Sequence, residues 1–190
     1  MLFQLVQTVY WMALSVWFGG AMFIGVAARS IHATVQRSKP RLQGVRSENL
    51  EDQHATLLAG TIVGELIAAL SRVELICAAV VLVAIAAQWF LIDLPDTWVR
   101  TSAFVRSALA LAASGVVIYN GFFLWPKIMK TRQEFIDIAD DPDKADAASE
   151  RMDRLQRDGE VMLLALVFLL LGIILFSGNI YRPITFRSGG

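Results

Sequence analysis

Hydrophobic positions in this chain are gathered into four long runs, not spread in the short alternations that mark strands. The first, Leu2 to Ala28, carries no charged residue across 27 positions. The second ends at Ile92 and contains the uncharged stretch Leu75 to Leu91. The third covers about Thr101 to Leu124, and the fourth Val161 to Ser177. Each run is long enough to cross a hydrocarbon core of about 30 Å at a helical rise of about 1.5 Å per residue. Strands of a membrane barrel alternate apolar and polar over about ten residues, which these runs do not do. Backbone groups in lipid must be paired within the segment, so helices are left. The pattern predicts an all-α integral membrane four-helix bundle, with spans at about 2–28, 72–92, 101–124 and 161–177. The whole of 1–190 reads as one domain. Met1 is followed directly by Leu2 and Phe3, without the basic start of a secretory signal, so the first run is expected to be a retained helix.

The helical pattern outruns the membrane in three places. Between Ala55 and Ile92 only isolated glycines weaken a helix. Two arrangements fit. The helices project beyond the membrane as a bundle, or residues from about 50 to 71 form an amphipathic helix on the membrane surface, with the span proper starting near Arg72. The interfacial arrangement is the preferred one. Asp141-Pro142 is a good helix start, an acidic cap followed by proline at the first position, so a helical hairpin is expected over about 127–160. Pro126 is expected to kink the third helix.

Composition sharpens this picture. Hydrophobic residues make up 56% of the chain and charged residues 18%, against about 45–50% and about 25% in an average soluble domain. Lys plus Arg and Asp plus Glu are balanced at 17 each, so no basic excess points to nucleic acid. The basic residues are unevenly placed. Arg29, Arg37, Lys39, Arg41 and Arg46 follow the first run, and Lys127, Lys130, Arg132, Lys144, Arg151, Arg154 and Arg157 follow the third. The opposite side holds Arg100, Arg182 and Arg187. The positive-inside rule then predicts a multi-pass protein of the plasma (inner) membrane, with both termini outside and both long loops in the cytoplasm. The basic loops are expected to meet anionic lipid. Trp89, Trp98 and Tyr181 suit an outer aromatic belt and Trp125 an inner one.

Charged and amide side chains at membrane depth are the candidates for function. Arg29, Glu65, Arg72, Glu74, Asn120 and Glu160 fall near one depth and are expected to form a polar cluster at the cytoplasmic mouth. Arg106 lies deeper in the third run, and is expected to reach outward or to meet Gln4 or Gln7. His32 and His54 lie 22 residues apart without partners at ligand spacing, and Cys77 is the lone cysteine. No metal, no cofactor and no catalytic residue is therefore predicted. Ser15, Gly19 and Gly20 on the first helix, with Ala108, Ala112 and Gly115 on the third, make flat small-residue faces. Such faces let helices approach closely, within the bundle or between subunits.

Several short stretches together resemble a known family. They are Trp17-Phe18-Gly19-Gly20-Ala21-Met22-Phe23, Ala59-Gly60-Thr61-Ile62-Val63-Gly64, and Tyr119 followed by Pro126-Lys127-Ile128 and Arg132. The arrangement is similar to the transmembrane protein 205 family, a domain of unknown function. Where that family carries Phe-x-x-Leu-His, this chain reads Met152-Asp153-Arg154-Leu155-Gln156. The resemblance implies a four-helix membrane protein without an assigned reaction. The sequence thus predicts a non-enzymatic accessory subunit or scaffold of a membrane assembly, as a homo-oligomer or within a larger complex. The alternative is an oligomeric transporter or permeation protein for a small solute, metal ion or proton.

Overall fold

The computed structural model describes residues 1–38, 54–91, 97–137 and 142–180. All of the regular structure among them is helical: α1 (Leu2–Ser38), α2 (His54–Leu91), α3 (Thr97–Tyr119), α4 (Trp125–Asp137) and α5 (Pro142–Ile180). A five-residue π-helical turn, Asn120–Leu124, joins α3 to α4. Four stretches are long and apolar enough to cross a membrane. Between 22% and 28% of the most apolar window in each is buried within the chain. Phe23, Val83, Phe90, Phe104, Leu111, Phe168 and Leu175 are among the large apolar side chains that face outward. So much exposed apolar surface on a helical chain suits lipid and not water.

Five close approaches set the packing. Tyr10 on α1 meets Ser177 on α5, and Gly25 faces Leu163. Gly172 on α5 lies against Leu109 on α3. Trp89 on α2 bonds Ser107 on α3, and Gly64 faces Trp125. Residue number rises along one helix as it falls along the next in each case, so all these neighbours are antiparallel. α1 packs on α2 and α5, and α3 packs on the same two helices. The result is a ring in the order α1, α2, α3, α5, with α1 and α3 on opposite corners. The end at which α1 finishes and α2 begins is called proximal below, and the other end distal.

The core follows from helical spacing. Tyr10, Leu14, Trp17 and Ala21 recur at three- and four-residue steps on α1, as do Ala78, Val81 and Ile85 on α2. Ala110, Ala113 and Val117 give α3 a low inner surface, into which Leu166, Leu170 and Ile173 of α5 fit. Hydroxyls in the apolar stretches bond their own helices, as Ser107 to the Ala103 carbonyl (2.8 Å) and Ser114 to the Ala110 carbonyl (2.8 Å). That satisfies the hydroxyl proton within the helix, and leaves Ser107 Oγ free to accept from Trp89.

Several expectations change. α2 is a single 38-residue helix, about 57 Å at the helical rise, with no break near Arg72. Residues 54–71 form the first half of this one helix; residues 50–53 lie outside the described residues. Glycines 60 and 64 do not interrupt it, because α4 covers them. α1 likewise runs ten residues beyond Ala28, to Ser38. α5 starts at Pro142 as the cap pattern predicts. Pro126 is accommodated by the π-turn ahead of it, in which the Trp125 N–H bonds the Asn120 carbonyl five residues back. The small-residue faces are turned the other way from internal packing. Ser15, Gly19, Ala108, Ala112 and Gly115 are exposed and Gly20 is half-buried. A Cβ added at Gly19, Gly20 or Gly115 would meet nothing within 4 Å. Within the ring, the contact falls instead to Leu14, Trp17 and Ala21 on α1 and to Ala110, Ala113 and Val117 on α3.

Candidate functional site

The six-residue polar cluster separates into two groups. Glu74 is buried, and Asn120 is half-buried with its carbonyl oxygen enclosed. Arg29, Glu65, Arg72 and Glu160 are exposed. Helical rotation explains the split. At about 100° per residue, Arg72 lies about 200° from Glu74 and Glu65 about 180° from it, so both point away from the core. Glu74 precedes Ala78, Val81 and Ile85 on the inner stripe of α2, while Asn120 continues the α3 stripe Ala113 and Val117.

Register puts these two in one layer. Going from Trp89 to Glu74 is a rise of about 22 Å along α2. The same rise from Ser107, its bonding partner, leads along antiparallel α3 to the π-turn that starts at Asn120. Closer to the proximal end, Gly64 against Trp125 keeps α2 and α4 together. Among the described residues, neither Glu74 Oε1 nor Asn120 Oδ1 has a hydrogen-bond partner. A carboxylate at membrane depth costs about 2.5–3.5 kcal/mol or more, so two bare acceptors in one layer are unusual.

A second polar group occupies the distal half. The Tyr10 hydroxyl lies 2.6 Å from Ser177 Oγ, and the Arg106 guanidinium carbon sits 5.4 Å from the centre of the Tyr10 ring. Arg106 is only 2% exposed, so it does not reach outward. The ring face supplies electrostatic attraction to the guanidinium away from water. Gln88 and Ser102 are buried in the same half of the bundle, and Trp89 Nε1 donates to Ser107 Oγ (3.1 Å). The inner-stripe spacing of Gln88 after Val81 and Ile85, and of Arg106 before Ala110 and Ala113, is the signal that identifies them.

The third group clamps the proximal extension. Arg132 of α4 donates to Thr61 Oγ1 of α2 and lies over Gly60. Trp125 covers Gly64, where an added Cβ would stand 2.9 Å from its ring. Trp125 thereby packs between α2 and α4. Gly60, Thr61, Gly64 and Arg132 fall in the short stretches singled out in the sequence; Trp125 does not.

No group of three His, Cys, Asp or Glu residues that could hold a metal occurs among the described residues. His32 is half-buried on α1, and Cys77 is a buried free thiol. Gln4, Gln7, Thr8, Trp11 and Met12 line an open groove built from α1 alone. Lys39, Arg41 and Arg46, and Arg182, Arg187 and Tyr181, lie outside the described residues. Comparison with family models, curated proteins and solved structures gives no significant match.

Proposed function

We propose that the protein is a non-enzymatic membrane subunit, an accessory or scaffold component that holds partner helices against its outer faces. One observation carries this reading. The small-residue faces of α1 and α3, Ser15 with Gly19 and Ala108 with Ala112 and Gly115, are turned outward, while the bundle seals its own core with other residues. Small residues on an exposed face let another backbone approach closely, which is a main source of helix association in lipid. α1 and α3 occupy opposite corners of the ring, so the two faces suit two separate contacts. One chain can then bridge two neighbours, either copies of itself or other membrane proteins.

The basic asymmetry supports a multi-pass protein of the plasma (inner) membrane, with the proximal end cytoplasmic and both termini outside. Arg29 and Arg37 at the end of α1, with Lys127 and Lys130 on α4, then lie near anionic headgroups. The Arg132–Thr61 contact falls on positions of the stretches that carry the likeness to the transmembrane protein 205 family.

Native mass spectrometry of protein released from membranes in mild detergent tests the proposal. The expected species is an assembly, of the chain with itself or with a partner, and Gly19→Ile or Gly115→Ile shifts it toward monomer. A strictly monomeric wild type in every mild detergent contradicts it.

A further inference from the structure

We infer that Glu74, Asn120 and a backbone carbonyl of the π-turn form a binding site for a single small monovalent cation of the sodium class inside the bundle. The inference does not depend on the accessory-subunit reading. It begins with the two acceptors. Glu74 is 7% exposed, and its Oε1 has no hydrogen-bond partner among the described residues. Asn120 Oδ1 is likewise enclosed and unpartnered. Both side chains belong to inner stripes, and the antiparallel register of α2 and α3 sets them at the same level. A buried acceptor can be satisfied by a donor or by a cation, and leaving it bare is costly.

The backbone supplies a third oxygen. In the π-turn the Trp125 N–H bonds the Asn120 carbonyl, so it is no longer spent on the Gly121 carbonyl four residues back. The next π-type donor to Gly121 would be the N–H of residue 126, which is proline and has none. The Gly121 carbonyl is therefore left without its helical donor. An added Cβ at Gly121 would meet nothing within 4 Å, so no side chain crowds this backbone. Locally opened helices with freed carbonyls are a recurring way to coordinate an alkali ion at membrane depth, and π-turns are frequent at functional sites.

The donor set selects the ion class. All three donors are hard oxygens, and the carboxylate contributes one negative charge, which a monovalent ion neutralises. A calcium site takes six to eight oxygens, commonly from several carboxylates, and a transition metal favours imidazole or thiolate. Among the described residues no cluster of that kind is found.

Equilibrium binding of radioactive sodium to the purified full-length protein, with sodium chloride replaced by choline chloride at constant ionic strength, tests this. The wild type is expected to bind sodium saturably with one-to-one stoichiometry, and its melting temperature to rise with sodium but not with choline. Glu74→Gln is expected to abolish binding, and Asn120→Leu to weaken it at least about tenfold, a change of about 1.4 kcal/mol. Pro126→Ala restores the missing N–H and is expected to weaken binding while leaving Glu74 in place. Absence of saturable binding by the wild type overturns the inference, even if a variant fails to fold. So does undiminished binding by a folded Glu74→Gln protein. A melting temperature that follows pH but is the same in sodium and choline identifies a proton as the occupant and also overturns it.

Discussion

At the residue scale, the Tyr10–Ser177 pair shows how direction follows from proton accounting. Ser177 Oγ donates its only proton to the Ile173 carbonyl at 2.6 Å. It has no proton left for Tyr10, so the tyrosine hydroxyl is the donor between them. The two deletions are therefore unequal. Tyr10→Phe removes one donated bond and leaves Ser177 satisfied by its own helix, at a cost of about 0.5–1.5 kcal/mol. Ser177→Ala removes both bonds of the Ser177 hydroxyl, the one it accepts from Tyr10 and the one it donates to the Ile173 carbonyl, and costs about 1–3 kcal/mol. Reversible unfolding in mixed micelles should rank Ser177→Ala as the more destabilising; the opposite order would refute the assignment of the proton. Much at this scale was legible in the sequence. Membrane-depth placement of Glu74, Asn120 and Arg106 follows from hydropathy alone. Which of them turn inward does not, because α2 is apolar on every side and shows no polar face from which to orient Glu74. Inward direction becomes readable only by counting from the core stripe, and the same count separates Glu74 from Arg72. The distal set was missed because Tyr10, Gln88 and Ser177 lie far apart in the chain, and only the register of three helices brings them to one half of the bundle.

At the element scale, the approach of α4 to the first half of α2 depends on one glycine. An added methyl at Gly64 would stand 2.9 and 3.2 Å from ring atoms of Trp125, whereas at Gly60 the nearest atom is the Arg132 guanidinium, at 3.6 Å. Gly64→Ala is accordingly expected to destabilise by about 1–3 kcal/mol through overpacking, and a second change, Trp125→Leu, should recover part of that loss. Gly60→Ala meets only ordinary contact and is expected to be neutral, or to gain up to about 1 kcal/mol from better helix propensity. Thermal melts of the three proteins check this; equal losses at the two glycines would show that Trp125 does not set the approach. Helix number and approximate span positions could be read from hydropathy. The continuity of α2 could not, since a surface-bound and a coaxial helix share the same local sequence and differ only in what packs against them. Pro126 announced a kink, but the π-turn it uses depends on how the ring of helices accommodates the missing hydrogen bond. Small-residue faces are equally ambiguous in one chain, because lipid tolerates glycine and alanine outward as readily as a neighbouring helix accepts them inward.

At the scale of the whole molecule, the ring order separates inner stripes from outward small-residue faces, which the sequence could not divide. Core-facing stripes close the bundle and carry its buried polar groups, while Ser15 and Gly19 on α1 and Ala108, Ala112 and Gly115 on α3 face outward at opposite corners. Orientation in the membrane is open to a direct check. Cys77 is the sole native thiol, so Cys77→Ser gives a background for single-cysteine variants. Ser188→Cys is expected to react with an impermeant maleimide in intact cells, and Ser47→Cys only after the membrane is opened; the reverse pattern would invert the assignment. The central claim, that the outward small-residue faces are contact surfaces for other helices, is tested most directly by cross-linking in the native membrane. On the Cys77→Ser background, Gly19→Cys and Gly115→Cys are each expected to give cross-linked species with a short thiol-reactive linker, while core-facing Ala110→Cys gives none. Cross-linking at Gly19 and Gly115 no greater than at Ala110 would contradict the account.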